Sequence, residues 1–276
     1  MIRRRLFTAA LALATAIALV FLLLPLVAIF LRVPPGELLA QLGSEVAIDA
    51  IVVTLKTNAI AQALILVVGT PAAYLIASRR FRGRVLVVTL VELPLVLPPA
   101  VAGIALLAAF GRLGLLGSTF DVLGVSIGFT QTAVVLAVAY VASPFYLRQA
   151  IASFEALDHA LLDASRTLGA GPARTFFRIA LPLASKGLAA GAALSFARGI
   201  GEFGATIMFA GSLQGVTQTL SLAIYAQFDL NFDIALALGA LLVLVSAAIL
   251  VTTKLITTWT RSTSTSLSPF ARFGSS

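Results

Sequence analysis

Long apolar runs alternate with short polar or basic stretches along nearly the whole chain. The first, Leu6 to Leu31, carries no charge and follows Arg3, Arg4 and Arg5. It is longer than the apolar core of a cleaved signal and ends at Arg32, Val33, Pro34 and Pro35, so it is expected to be a membrane span with its basic end inside. Five more runs follow, at about 50–77, 85–110, 129–147, 186–210 and 234–253. Each is close to or above the roughly 20 residues that a helix needs to cross a bilayer. The pattern predicts an all-α polytopic membrane protein with six transmembrane helices, an outer amphipathic piece at 36–49, and a polar C-terminal tail at 258–276 that is expected to be disordered.

Two of the runs are interrupted. The third contains L-P-L-V-L-P-P, with Pro94, Pro98 and Pro99. Proline lacks an amide donor and clashes with the preceding turn, so this span must kink or unwind. Backbone freed that way is tolerated in a membrane only where protein or a watery cavity satisfies it. The break is either a packing kink or a bend lining a pathway. Glu92 just before it is either a costly intramembrane carboxylate or an inner-interface residue a turn or two from Arg84. The fifth run contains Arg198 and Glu202. Arg198 lies about 18 Å along a helix from Lys186, with Glu202 one turn further. Charges at such depth face protein or water and are paired. These two can neutralise each other four residues apart, although acid after base is the weaker order, so a partner on another span or a second subunit stays open. In the functional reading, Arg198 offers positive potential to an anion in transit. Arg198, Glu202, Glu92, Pro98 and Pro99 are therefore the candidate pathway residues.

Composition agrees with the bilayer: 60% of residues are hydrophobic and 11% charged, and the mean hydropathy is +1.06. The net charge of +8 does not signal nucleic acid, because the basic residues flank apolar runs instead of gathering on one soluble face. Fifteen of the 19 fall at positions 3–5, 79–84, 148–186 and 254–272, while Glu37, Glu45, Asp49, Asp121, Asp229 and Asp233 fall in the alternate connections. By the positive-inside rule both termini are expected in the cytoplasm. Lys56 and Asn58 are placed near an outer end, where a Lys snorkels, and Trp259 suits an interface. Zero Cys and one His, His159, leave no disulfide framework and no Cys/His metal site. No catalytic constellation emerges, and G-x-x-x-x-G-K-[ST] is absent, so any nucleotide must be held by another chain.

The inner connection from Arg148 to Lys186 is polar and basic. Phe154, Leu157, Leu161, Ala164, Ser165 and Leu168 recur at three- and four-residue steps, which predicts one helical face on a helix from about Phe154 to Leu168. Gly169 suits its left-handed end, and Pro172 the first turn of a second short helix. The stretch D-A-S-R-T-L-G-A-G-P-A-R-T-F-F-R-I-A-L-P, Asp163 to Pro182, keeps both gaps of the pattern E-A-A, three residues, Gly, nine residues, I-x-L-P. It resembles the cytoplasmic loop of ABC-transporter permeases, with Asp for Glu and Ser for the second Ala. L-P-L-V-L-P-P-A-V-A-G at Leu93 to Gly103 resembles molybdate and sulfate permeases. So do A-R-G-I-G-E-F-G-A-T-I-M-F-A-G and G-V-T-Q-T-L between Ala197 and Leu220, with the molybdate branch most similar.

This resemblance implies a transmembrane permease domain over 1–257 with a cytoplasmic coupling loop at 148–186. Asp163, Ala164, Ser165, Gly169, Ile179, Leu181 and Pro182 would couple it to an ATPase. It also implies a multi-pass cell-membrane protein importing an oxyanion, molybdate first, with tungstate, sulfate and thiosulfate as alternatives. The implied partners are a second copy of the chain, a cytoplasmic ATPase dimer carrying ATP and Mg, an extracytoplasmic oxyanion-binding protein and membrane lipid. No cofactor falls on this chain. An ion-coupled secondary transporter is the other class considered; such proteins often carry matching broken helices in repeated halves, and the Pro-broken third run has no match in the sixth.

Overall fold

The computed structural model describes residues 2–32, 34–79 and 81–264, with side chains except at 2, 35, 159, 254 and 256–264. Expectations for Arg80, for the side chains of His159, Lys254 and Trp259, and for the tail beyond Ser264 lie outside the described residues. Among those described, every regular element is helical. Five helices are long and apolar enough to cross a bilayer, or six if one sharply bent pair counts as a single span.

In chain order, α1 (Ile2–Arg32) is followed by the short α2 (Pro35–Leu42) and the long α3 (Glu45–Ser78). Ser44 caps α3 by accepting from the Ala47 amide at 3.4 Å. The third run is two helices, α4 (Arg84–Val96) and α5 (Pro99–Phe110), meeting at 114°. The expected kink is thus a break that turns the chain through more than a right angle. Leu97 and Pro98 lie between them, with Pro99 at the first position of α5, where its missing donor costs nothing.

A short α6 (Gly117–Val122) precedes α7 (Gln131–Glu155), which runs eight residues past the expected end of the fourth span. Next come α8 (His159–Thr167) and α9 (Pro172–Thr175). One π-helical turn (Phe176–Ala180) leads into α10 (Leu181–Ile200). α9 through α10 form one span of 29 residues. The fifth run does not continue to residue 210 as a single helix: it breaks after Ile200 and restarts as α11 (Gly204–Ala210). The segment expected as an outer loop holds α12 (Leu220–Gln227), and α13 (Phe232–Ser264) closes the described chain, seven residues into the stretch expected to be tail.

α7 is the centre of the bundle. Its Ala133, Ala137, Ala142 and Ala150 are buried, and α3, α4, α5, α10 and α11 all pack against it. Lipid tails are as apolar as leucine, so helices associate through close approach and interhelical hydrogen bonds, not by escaping water. Both devices are present. A Cβ on Gly69 would stand 3.1 Å from the Tyr146 ring, and one on Gly191 2.9 Å from Gln149 Cβ. Ser195 donates to the Ala142 carbonyl at 3.1 Å, and the Thr70 and Tyr146 hydroxyls are 2.5 Å apart. α1 lies exposed along nearly all its length and packs chiefly on α13.

A close approach of one helix to another's backbone joins α5 to α11. A Cβ on Gly103 would lie 2.6 Å from the Ala205 carbonyl oxygen and 2.9 Å from its Cα, so the obstruction is backbone and cannot swing aside. Gly103→Val is therefore expected to cost about 1–3 kcal/mol by overpacking. The check is the unfolding midpoint in detergent, with Gly103→Ala shifting the same way by less. An unchanged midpoint would mean that the two helices are not in contact.

Candidate functional site

The two broken spans meet. At the break after α10, Glu202 donates its amide to the Gly199 carbonyl at 3.1 Å and turns its side chain inward. Its Oε1 accepts from the Ala205 amide at 2.8 Å, in the first turn of α11. Its Oε2 lies 2.6 Å from Arg198 Nη2, in an approach too oblique for an aligned hydrogen bond. Glu202 is 1% exposed and Arg198 side chain 28%. A carboxylate so buried stays charged only if counter-charge and donors replace its lost hydration. Here the guanidinium supplies one and the α11 backbone the other. The expected pairing of Arg198 with Glu202 is present, but the two do not share a helix: Glu202 sits in the break.

The other break faces this one. A Cβ on Gly204 would fall 2.6 Å from Pro99 Cβ and 3.2 Å from the Ala100 nitrogen. Only glycine lets the start of α11 rest against the Pro98–Pro99 corner. The Phe203 and Tyr225 rings, 5.3 Å apart, join the break to α12.

Glu92 belongs elsewhere. Its Oε1 pairs with Arg148 Nε at 3.0 Å, tying α4 to α7. A second tie joins Arg84 and Glu155, with Arg84 Nε also donating to the Ile76 carbonyl at 3.1 Å. These pairs are partly exposed, so each is worth about 0–1 kcal/mol. Glu92 meets its charge on α7, and the structure does not bring it to Arg198.

The seam beside the break also contains buried polar residues that the sequence reading did not single out. Asn58, expected near an outer end, is 2% exposed. It donates to the Phe196 carbonyl at 3.2 Å, and its Oδ1 occupies the space a Gly199 side chain would need. Gln62, one turn on, donates to the Ala192 carbonyl at 3.2 Å. Gln62 Oε1, Thr206 Oγ1 and Gln218 Oε1 are buried without a hydrogen-bond partner. The legible signal was the four-residue step of Asn58 and Gln62 inside an apolar run, which puts both on one face.

In the inner loop, the expected helix from Phe154 to Leu168 is two pieces. Phe154 and Glu155 finish α7, and Asp158 starts α8 by accepting from the Ala160 amide at 2.9 Å. Asp158 is a favoured N-cap, so the chain re-initiates there. The apolar positions divide too: Leu162 and Ser165 are buried, whereas Leu161, Ala164 and Leu168 are exposed. Ser165 donates to the Leu162 carbonyl at 2.7 Å and lies 3.2 Å from the Thr175 hydroxyl, which pins α8 to α9. Gly169 is left-handed at φ 82°. Its amide donates to Arg166 and that of Ala170 to Ser165, the bond pair of a Schellman ending. Asp163 is exposed and paired with Arg166 at 3.1 Å. Ile179 and Leu181 pack on the main core, and Pro182 is exposed at the foot of α10.

A family model described as binding-protein-dependent transport system inner membrane component matches residues 66–261. The molybdenum transport system permease protein ModB of Mycobacterium bovis is 44% identical over 235 residues, covering 84% of this chain and 88% of its own. Among solved structures, a bacterial alginate ABC transporter in complex with an alginate-bound periplasmic protein superposes with TM-score 0.70 at 17% identity, covering 91% of this chain and 94% of that one. The inward-facing MetNI methionine ABC transporter gives 0.57 at 20% identity, over 76% and 93%. These two structures establish the likeness of fold.

Removing Arg198 alone leaves a charge stranded in the interior. Arg198→Ala is expected to cost about 3 kcal/mol, and replacing both partners by methionine to recover most of that loss. Thermal unfolding of the two variants in detergent checks this; equal midpoints for wild type and Arg198→Ala would show that the pair carries no stability.

Proposed function

The chain belongs to the family of binding-protein-dependent transport system inner membrane components, and on that premise we infer that it is the permease subunit of an ATP-driven ABC importer carrying an oxyanion, molybdate. The observation that carries the cargo is the 44% identity to a molybdenum permease across 84% of the chain. The subunit is not itself an enzyme. Its energy comes from a separate cytoplasmic ATPase dimer that holds ATP and Mg, and its substrate from an extracytoplasmic binding protein. Two copies of the chain enclose the pathway on their shared axis, with both termini in the cytoplasm. The membrane body spans 1–257, with the loop at 148–186 facing the ATPase.

A mechanical reading follows from the geometry. Asp163, Ala164, Leu161 and Leu168 form the exposed side of α8 and suit a helix-in-groove contact. Ser165 and Gly169 serve the coupling by holding α8 against α9, Ser165 through Thr175 and Gly169 through the turn between them. Ile179, Leu181 and Pro182 transmit the push. From Pro172 to Ile200 the chain is one helical rod, about 43 Å long at 1.5 Å per residue. It ends at Arg198 and the Glu202 break, against Pro98 and Pro99. Displacement of the loop by the ATPase therefore arrives where the two broken spans meet, and the subunits rock between inward-open and outward-open states. Arg198 supplies the positive potential on the route, while Glu92 acts as a strut between α4 and α7.

Two measurements test this. In vesicles the chain alone is expected to move no molybdate, and uptake to require the ATPase, the binding protein and ATP; uptake by the chain alone would overturn the reading. Gly169→Val forces a β-branched residue into the left-handed region at about 1–2 kcal/mol and loosens α8. In the assembled transporter, hydrolysis is expected to persist while uptake falls several-fold; uptake in step with hydrolysis would remove the loop from the coupling path.

A further inference from the structure

We propose that the pocket between the end of α3 and the α8–α9 turn binds a phosphate-type tetrahedral oxyanion group, gripped by Arg79 and Arg166. The cavity is about 380 Å³ and is lined by Tyr74, Ser78, Arg79, Arg166, Pro172 and Thr175, among others. That volume lies within the range of small-ligand sites, about 300–1,000 Å³.

Arg79 and Arg166, from segments far apart in sequence, both line this one cavity. Arg79 has no ion-pair partner among the described residues, and Arg166 has a single Nη1 contact to Asp163 at 3.1 Å. A guanidinium offers five N–H donors in a planar fork that matches an oxyanion two bonds at a time, so most of this donor capacity is unspent. Two like charges lining one cavity repel, and an anion bound between them would turn that repulsion into attraction. Ser78 also lines the cavity.

The walls are built rather than incidental. The Tyr74 ring is fixed against Phe154 and Phe176, with centroids 5.3 and 4.8 Å away. Thr175 is held from behind by Ser165 at 3.2 Å. Arg79 directly follows α3, the long apolar helix read as a span, so the bilayer surface is one source of such a group. The oxyanion group can therefore be free in solution or part of a phospholipid. Either way it would bridge α3 to the loop that carries Asp163 and Gly169. The site stands apart from the transport reading, because binding is measured on the chain alone.

The test uses the full chain in phosphatidylcholine nanodiscs. One arm titrates inorganic phosphate by calorimetry. The other adds phosphatidylglycerol to the disc, with no phosphate, and scores lipid retention by native mass spectrometry. Binding in at least one arm is expected, weakened about tenfold or more by Arg79→Gln and by Arg166→Gln, with Arg79→Lys retaining more than Arg79→Gln. A phosphate response assigns a soluble anion, and a lipid response a headgroup. Absence of binding in both arms would overturn the proposal, as would equal binding by wild type and both glutamine variants. It is equally overturned if Arg79→Gln weakens only attachment of the ATPase, since the pocket then receives an acidic protein segment. Monodisperse elution of each variant, with Arg79→Lys as the conservative control, separates lost binding from lost folding.

Discussion

A charged carboxylate inside a membrane bundle must be satisfied on every side, and the way Glu202 is satisfied fixes the geometry around it. Where α10 stops, its last backbone groups and the first of α11 lose their helical partners, and no water in the hydrocarbon replaces them. Glu202 answers one of these losses by accepting from Ala205, and Arg198 answers the charge that this brings. Because that capping sets the direction of α11, it also sets the contact of Gly204 with Pro99 and of Gly103 with Ala205. The sharp bend between α4 and α5 and the break after α10 are therefore one construction. Each supplies the protein surface that makes the other tolerable in a bilayer.

Around this construction the bundle divides into a fixed and a driven part. α7, buried and alanine-lined, holds α3 through Thr70 and Tyr146, and holds α4 through the Arg148 and Glu155 ion pairs. α10 meets that frame through glycines and a few polar ties to Asn58, Gln62 and Ala142. A rod attached to the frame by a handful of directed bonds has discrete seats to occupy. That is the property a two-state transporter needs, because a packed interface shifts between arrangements more readily than it deforms.

The apolar runs made the membrane class and most of the spans legible, since the length needed to cross hydrocarbon is a property of the runs themselves. The pair Pro98–Pro99 marked its break because two successive residues lack amide donors and crowd the preceding turn, whereas the single prolines at 25, 71, 94 and 144 stay inside helices. Gly169 marked its turn for a similarly local reason. The break after Ile200 carries no proline, and Gly201, Glu202 and Phe203 read as tolerable in a helix. It exists because α5 offers a docking surface for α11, a tertiary fact. The split of the inner-loop helix at Asp158 was legible as an N-cap signal and was outweighed by the apolar spacing from Phe154 onward. Ile179 and Leu181 carry the family pattern yet lie in the core, so the pattern records the rod's packing as much as its contact with a partner.

The central claim is that the junction of the two broken spans lies on the oxyanion's route. The chain has no cysteine, and Gly201 stands exposed in the break with nothing within 4 Å of where its Cβ would be. Gly201→Cys therefore places a single reporter beside Arg198 and Glu202. The account predicts that in the assembled transporter a membrane-impermeant sulfonate thiol reagent labels this cysteine, and that molybdate slows the labelling. Labelling unchanged by molybdate, or a cysteine that the reagent never reaches, would place the route elsewhere.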